Sequence, residues 1–319
     1  MHDQNWAIGV DLGGTKMEIG HVDMLGNVHQ RVRYTHANRH PDYIMAQIEE
    51  TAKQLIADAV SPALGLGIGV PGQIERATGR VSFAPNLQWR DVPIKKKLEQ
   101  ALNIPVHVTN DVRAAAMGEW VYGAGAGCED LVCLFIGTGI GGGVVSGGHM
   151  LLGHSNSAGE LGHTTIDWMG KTACSCGNSG CLEAFASGWA IAKRAREAVQ
   201  QDPAAGAQLL KSAEGQLASI TAEKVVKAFF EGDRLAETII NAALEALVAG
   251  CVSLVNTFNP RMLLLGGGVS KGLSPILVSH IEAGIKKKGL SQSAAAVEVV
   301  LSKLSGNAGL VGSAALALL

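Results

Sequence analysis

An apolar strand, a glycine-rich turn and a second apolar strand occur twice in this chain, about 125 residues apart. Residues 6–10 (WAIGV) and 17–22 (MEIGHV) flank DLGGTK and read as a hairpin. Leu131–Ile136, the run GTGIGGG and Val144-Val145 repeat the arrangement. A weak internal duplication of this kind predicts two related lobes, each built on one copy. Strands alternating with helices place both lobes in the α/β class. A third strand is expected near Val28–Tyr34, and Ile44, Ile48, Leu55 and Ile56 lie at helical intervals within 41–60. Leu64–Val70 reads as a short strand closed by Pro71-Gly72, Pro93–Leu102 as a helix and Val106–Thr109 as a strand. Asn110-Asp111 then opens a helix to about Tyr122. Helices dominate Leu182–Phe258; a strand at Met262–Leu265, a helix at Pro275–Lys288, a strand at Val297–Leu301 and an Ala/Leu-rich helix at Gly309–Leu319 complete the chain. The expected division is residues 1–113 plus 304–319 as a small lobe and 114–303 as a large one.

Composition excludes several classes of function. With 47 % hydrophobic and 17 % charged residues, the chain can bury a large core and is not disordered. A net charge of −2 offers no attraction to nucleic acid or an acidic membrane. The N-terminus reads directly into a strand rather than a signal peptide. No run of about 18 apolar residues suggests a membrane span. The stretch Ala242–Phe258, interrupted by Glu245, Ser253 and Asn256, reads as a buried helix. Cys128, Cys133 and Cys251 are scattered and expected to be buried free thiols, while the other three cysteines fall within eight residues. This is not a disulfide framework, so a cytoplasmic protein is expected.

Three glycine turns are candidates for holding phosphate: Asp11-Leu12-Gly13-Gly14-Thr15-Lys16, Gly137-Thr138-Gly139-Ile140-Gly141-Gly142 and Gly266-Gly267-Gly268. Glycine lets backbone N–H groups converge on anionic oxygens. Thr15 and Thr138 add hydroxyl donors, Lys16 a positive charge, and Asp11 an oxygen ligand for the Mg²⁺ that accompanies ATP. Any one of these turns alone is more often a plain tight turn; their number and placement carry the reading. Gly137, Gly139 and Gly142 also match G-x-G-x-x-G, but that fingerprint opens a helix and here a strand follows. Gly170-Lys171-Thr172 is not a Walker A end, because position 165 is Thr.

The most specific signal is His163 followed by Cys174, Cys176 and Cys181. Three thiolates and an imidazole suit tetrahedral Zn²⁺, and four protein ligands make a structural rather than a catalytic site. Gly177 and Gly180 let the chain wrap an ion, and Glu160 and Glu183 flank the loop. Either Glu alone reads as a solvated carboxylate; held rigidly at a metal loop they become candidate acceptors for sugar hydroxyls. Asn110-Asp111 has a plain reading as a helix N-cap. Its functional reading makes Asp111 a general base that orients a hydroxyl and takes its proton during phosphoryl transfer. Asn86, in Ala84-Pro85-Asn86-Leu87, offers a two-way hydrogen-bonding amide.

Across essentially its whole length the chain resembles the ROK family of bacterial sugar kinases, repressors and related proteins. The matching stretches are DLGGTK (11–16), GVPG (69–72), PNL (85–87), NDVRAA (110–115), GTGIGGG (137–143), AGELGH (158–163), CSCGNSGCLE (174–183) and LGGGVS (265–270). The resemblance implies a two-lobed actin-like, ribonuclease-H-like fold with sugar and ATP in a cleft. It implies Asp111 as catalytic base, with Asn86, Asn110, Asp111, Glu160, His163 and Glu183 as the sugar-contacting set. It implies His163, Cys174, Cys176 and Cys181 as zinc ligands. Gly13, Gly14, Thr15, Thr138 and Gly139 match phosphate-loop positions, and Gly267 a position near the adenosine. A homodimer or a dimer of dimers is also implied.

Three functions compete. The first is an ATP-dependent hexose kinase. Glucose is the expected substrate, because PNLQWRDVPI with Glu160 is similar to the glucokinase branch; mannose, fructose, N-acetylmannosamine and N-acetylglucosamine are the alternatives. The second is a non-catalytic sugar-sensing repressor. Such members carry an added N-terminal helix-turn-helix, and here the first hairpin begins at about residue 6. The third is a non-kinase ATPase of the same fold, which would leave the carboxylates beside the metal loop unexplained.

Overall fold

The computed structural model describes residues 5–319, which form two compact units. The first comprises residues up to Gly127, the segment Met150–Gly159 and the C-terminal Lys303–Leu319; the second comprises Cys128–His149 and Glu160–Ser302. This division differs from boundaries at 113/114 and 303/304. The helix opening at Asp111 runs unbroken through residue 113 to Val121, so no break falls there.

In the first unit β1 (Trp6–Leu12), β2 (Lys16–Asp23), β3 (Val28–Thr35), β4 (Leu66–Val70) and β8 (Val106–Asn110) form one sheet in the order β3-β2-β1-β4-β8. β1 is antiparallel to β2 and parallel to β4, which is parallel to β8. A small antiparallel sheet of β5 (Gln73–Ile74), β6 (Val81–Ala84) and β7 (Trp89–Val92) is inserted before α2 (Ile94–Leu102). Strands this short leave no periodic signal, and the sequence reading contains none of them.

The two faces of the main sheet are built differently. Ile8, Val10, Leu12, Leu66, Ile68 and Val70 are fully buried in a core shared with Ile44 and Ile48 of α1 (Pro41–Asp58). The alternate positions include Gly9, Gly67 and Gly69, and against them lie α3 (Asp111–Val121) and α12 (Ala308–Leu318). A Cβ on Gly67 would fall 1.7 Å from the Ser313 carbonyl oxygen, and one on Gly9 2.3 Å from that of Leu310. Glycine at these positions lets helix backbone rest directly on the sheet. α3 and α12 cross just as closely, because a Cβ on Gly312 would fall 1.7 Å from the Ala114 carbonyl oxygen. Gly312→Ala is therefore expected to force the two helices apart and destabilise the protein by about 3 kcal/mol or more, read as a lowered urea midpoint at unchanged slope. Glu119, wholly buried, accepts from the N–H groups of Ala124, Lys303 and Leu304 and so fixes the entry of α12.

The second unit repeats the same sheet. β9 (Leu131–Ile136), β10 (Ile140–Ser146), β11 (His149–Met150), β12 (Met262–Gly266) and β13 (Glu298–Leu301) run in the order β11-β10-β9-β12-β13. β9 is antiparallel to β10 and parallel to β12, and β12 is parallel to β13. The order matches the first sheet strand for strand, and so do the senses of β9, β10, β12 and β13, so the duplication legible at the glycine hairpins extends across the sheet. The helical layer is α4 (Glu183–Ala186), α5 (Gly188–Gln201), α6 (Ala207–Ser212), α7 (Ala222–Phe230), α8 (Arg234–Phe258), α9 (Gly268–Gly272), α10 (Ser274–Lys288) and α11 (Ser291–Ala296). α8 is long and apolar enough to cross a membrane, yet its apolar positions pack against α4, α5, α7 and α10, as expected of a buried core helix.

Candidate functional site

In the first unit the β1–β2 turn closes through the Gly13 N–H donating to the Lys16 carbonyl, with Gly13 and Gly14 between them. Asp11 precedes the turn on the glycine-lined face, where its carboxylate abuts Gly309 in the first turn of α12. Burial, then the charges of Asp111 and Glu18, push the Asp11 carboxyl up from 3.8 to about 7. Two carboxylates sharing a recess in this way form a cation-seeking arrangement. The pH sign follows. A native pKa above the unfolded one gives stability that is present below about pH 4 and lost as pH rises through about 7. Asp11→Asn is thus expected to raise the melting temperature of the ligand-free protein at pH 8 and to leave it nearly unchanged at pH 4, read by paired thermal melts.

Asp111 is the first residue of α3, and its Oδ1 accepts from the Val112 N–H at 2.9 Å. Asn110 caps the same helix. Its Oδ1 accepts from Val112 and Arg113 N–H, and its Nδ2 donates to the Gly72 carbonyl at 3.3 Å. The N-cap is thus Asn110, and Asp111 shares the Val112 N–H with it. The position of α3 is held by Arg113, 5 % exposed, whose guanidinium donates to Asn156 Oδ1 and to the carbonyls of Asn156 and Ala158. Asn156 in turn donates to the Ile74 carbonyl. Asn86 is exposed in the β6–β7 turn, and a Cβ on Gly14 would lie 3.4 Å from its Cβ. The small unforeseen sheet therefore presents Asn86 beside the first glycine turn.

In the second unit His163, Cys174, Cys176 and Cys181 bring one donor atom each to within 4.8 Å of one another. Cys176 Sγ and Cys181 Sγ are 3.8 Å apart, and Cys174 Sγ is 3.8 Å from His163 Nδ1. Sulfurs bound at about 2.3 Å to a tetrahedral ion stand about 3.8 Å apart, far beyond a disulfide. Burial pushes the Cys181 thiol up to about 12 and the Cys174 thiol upward, while the backbone N–H of Asn178 draws Cys176 down. Thiols this close resist ionising together unless a cation joins them, so the donor set fits a metal. Backbone bonds Cys174 N–H to Asn178 O and Gly180 N–H to Thr172 O wrap the loop, with Gly177 and Gly180 at positive φ as their roles require. The short turn Leu161–His163 is set directly on β10, because a Cβ on Gly162 would lie 2.0 Å from the Ile140 carbonyl oxygen. That contact positions His163 and Glu160; no side-chain hydrogen bond engages the exposed Glu160 among the described residues.

The second glycine turn closes through the Gly137 N–H donating to the Gly139 carbonyl. Its carbonyls at Gly137 and Thr138 accept the N–H groups of Gly188 and Trp189, which tie it to the start of α5. Gly137 and Thr138 line a cavity of about 980 Å³ within this unit, walled by Trp189 and Ala192 of α5, Val226 of α7 and Val269 of α9. Arg196 of α5, whose Nη1 donates to the Ile220 carbonyl, Lys271 of α9 and Glu223 of α7 also line it. Apolar walls, a glycine turn and two cations suit a flat heteroaromatic base with attached phosphates. Gly267 has φ +89°, and a Cβ there would meet the Ile136 carbonyl, which accounts for glycine at that position of the third cluster. Trp189 and Arg196 are absent from the sequence reading; the signal available was the Ser187 N-cap in SGWA directly after the metal loop.

Glu183 is buried, and its carboxylate is already engaged. Oε2 accepts from the Ile140 N–H at 2.8 Å; Oε1 accepts from Ser175 Oγ at 2.9 Å and from the Trp189 indole at 3.2 Å.

The family model of the ROK family matches residues 7–319. A glucokinase of Thermotoga maritima is 34 % identical over 311 residues, covering 97 % of this chain and 96 % of that protein. A crystal structure of a ROK family glucokinase from Streptomyces griseus, in complex with glucose and AMPPNP, superimposes with a TM-score of 0.82 at 33 % identity, covering 98 % of each chain. A xylose repressor of Caldicellulosiruptor bescii is 31 % identical, and the match covers 98 % of this chain and 78 % of that protein. With two duplicated sheets, paired glycine hairpins and a His-Cys₃ loop in place, and a family match that spans nearly the whole sequence, the chain belongs to the ROK family.

Proposed function

We propose that this protein is an ATP-dependent hexose kinase that phosphorylates glucose at its 6-hydroxyl, with Asp111 as general base. The observation that carries the reading is the placement of Asp111 at the head of α3, close enough to Asp11 beside the first glycine turn for the two charges to oppose each other. Phosphoryl transfer to an alcohol needs both: a carboxylate for the hydroxyl proton and an oxygen ligand for the cation that accompanies the phosphates. The likeness to glucokinases over nearly the whole chain supports the choice of sugar.

In this reading the sugar oxygen attacks the γ-phosphorus, the bond to the bridging oxygen breaks, and the hydroxyl proton passes to Asp111. ADP and the sugar phosphate leave. Thr15, Lys16, Thr138 and the N–H groups of Gly13, Gly14 and Gly139 are the phosphate-holding groups. Asp11 would hold Mg²⁺, which supplies charge neutralisation of the phosphate oxygens. Asn86, Asn110, Glu160 and His163 are the groups for sugar hydroxyls. His163 serves two purposes with two atoms: Nδ1 faces Cys174, which leaves Nε2 for a hydroxyl. His163, Cys174, Cys176 and Cys181 would hold structural Zn²⁺, which stiffens the loop.

ADP release, followed by a coupled assay with and without hexose, tests the proposal. Glucose is expected to raise ADP formation by orders of magnitude and to give the highest kcat/KM in a panel with mannose, fructose and the N-acetylhexosamines. ADP formation indifferent to every hexose would remove the kinase reading in favour of a sugar sensor, a role suggested by the likeness to xylose repressors.

A further inference from the structure

One buried carboxylate joins three parts of the second unit that serve different ends. The acceptor atoms of Glu183 hold Ile140 of the second glycine turn, Ser175 between two metal-binding cysteines, and Trp189 of the cavity wall. Gly139 is glycine for the same reason, since a Cβ there would lie 2.7 Å from Glu183 Oε2. We propose that Glu183 is a positioning residue through which the metal loop sets the phosphate turn and the nucleotide wall, so that metal loading governs affinity for ATP. The inference rests on reading the cavity of the second unit as the nucleotide site.

The chemistry is directional. Ile140 N–H, Trp189 N–H and Ser175 O–H all donate to a group that, as a carboxylate, only accepts. Trp189 and Ile140 have no other way to orient these protons without moving the indole or the turn. Ser175, flanked by Cys174 and Cys176, moves with the loop. Displacement of the loop on metal loss pulls on Oε1, and the strain passes to the turn through Oε2. Three of the carboxylate's roughly four acceptor positions are thus taken by protein donors, which leaves one for a sugar hydroxyl beside the positioning role.

Glu183→Gln tests the proposal without changing volume. An amide presents one oxygen and one NH₂. Whichever way it turns, either Ile140 N–H or Trp189 N–H faces another donor. The titration of AMPPNP by calorimetry, with metal content measured on the same sample, is expected to show affinity reduced about tenfold, the effect of one unsatisfied buried donor. Glucose affinity is titrated alongside, because the family resemblance also assigns Glu183 to the sugar. Ser175→Ala removes the shorter link to the loop and leaves the Cys174 Sγ contact to Oε1 at 4.0 Å. Stripping the metal should therefore lower AMPPNP affinity more in the wild type than in Ser175→Ala, a coupling measured as in a double-mutant cycle. Wild-type AMPPNP affinity in fully metallated Glu183→Gln, or a loss confined to glucose, would overturn the proposal. Should Glu183→Gln not fold, equal losses in wild type and Ser175→Ala on stripping overturn it instead. The kinase reading fails separately, if the wild type binds AMPPNP but forms no ADP in response to hexose.

Discussion

Asp111→Asn is expected to lower kcat by about 10²–10⁴, the range over which general-base catalysis acts, while glucose binding measured by calorimetry changes by no more than a few-fold. The substitution is close to isosteric. The Asn oxygen can still accept from the Val112 N–H, so α3 begins where it did. Asn110 caps the helix independently, through Val112 and Arg113, which separates the helix's stability from the chemistry at position 111. What the amide cannot do is take the proton released as the oxygen–phosphorus bond forms. A turnover near that of the wild type would show that position 111 only orients the hydroxyl. Loss of glucose binding in parallel with kcat would instead mark Asp111 as a binding group. Either result leaves the fold untouched, because the packing of α3 depends on its own Arg113 and Gly118 and on Gly312 of α12.

How much of this site was open to a sequence reading depends on distance along the chain. The glycine hairpins were legible because strand, turn and strand are contiguous at both copies, and β3, β4, β8, β12 and β13 were legible as strands of their own, whereas the two-residue β11 was not. The metal set was legible because Cys174, Cys176 and Cys181 are crowded and His163 is close by. The hidden parts are long-range or short. β5 to β7 are too brief to show alternation, yet they carry Asn86 to Gly14. Arg113 meets Asn156, 43 positions away, and nothing local marks either as a partner. That same bond accounts for a second surprise: residues 150–159 return to the first unit without any change of composition to announce it. Glu183 and Ile140 are also 43 positions apart. The motif marks Glu183 as notable, but its role depends on a hydrogen-bond geometry that spacing does not encode.

The second large effect is expected at the metal loop. The protein is expected to carry about one zinc per chain, and Cys181→Ser to lose it. Residues 164–182 have little else to hold them. The buried apolar side chains there are few, Cys174, Cys181 and Leu182, with Ala184, Phe185 and Trp189 beyond them backing the two cysteines. Trp168 and Met169 project into solvent. Structural zinc contributes an apparent ~10–16 kcal/mol in small zinc-bound peptides, far more than the few backbone bonds that close this loop. Metal loss should therefore open the loop as a unit: amide exchange across 164–182 should rise by orders of magnitude while β9 and β12 stay protected. Because binding needs thiolates, and burial pushes Cys181 up to about 12 in the absence of a cation, zinc uptake releases protons and weakens as pH falls. Glucose affinity should fall with the loop, since His163 belongs to the donor set and Glu160 stands three residues before it. A metal-free Cys181→Ser protein with protected amides over 164–182 would mean that packing alone holds the loop, and the cation would then have no structural part to play.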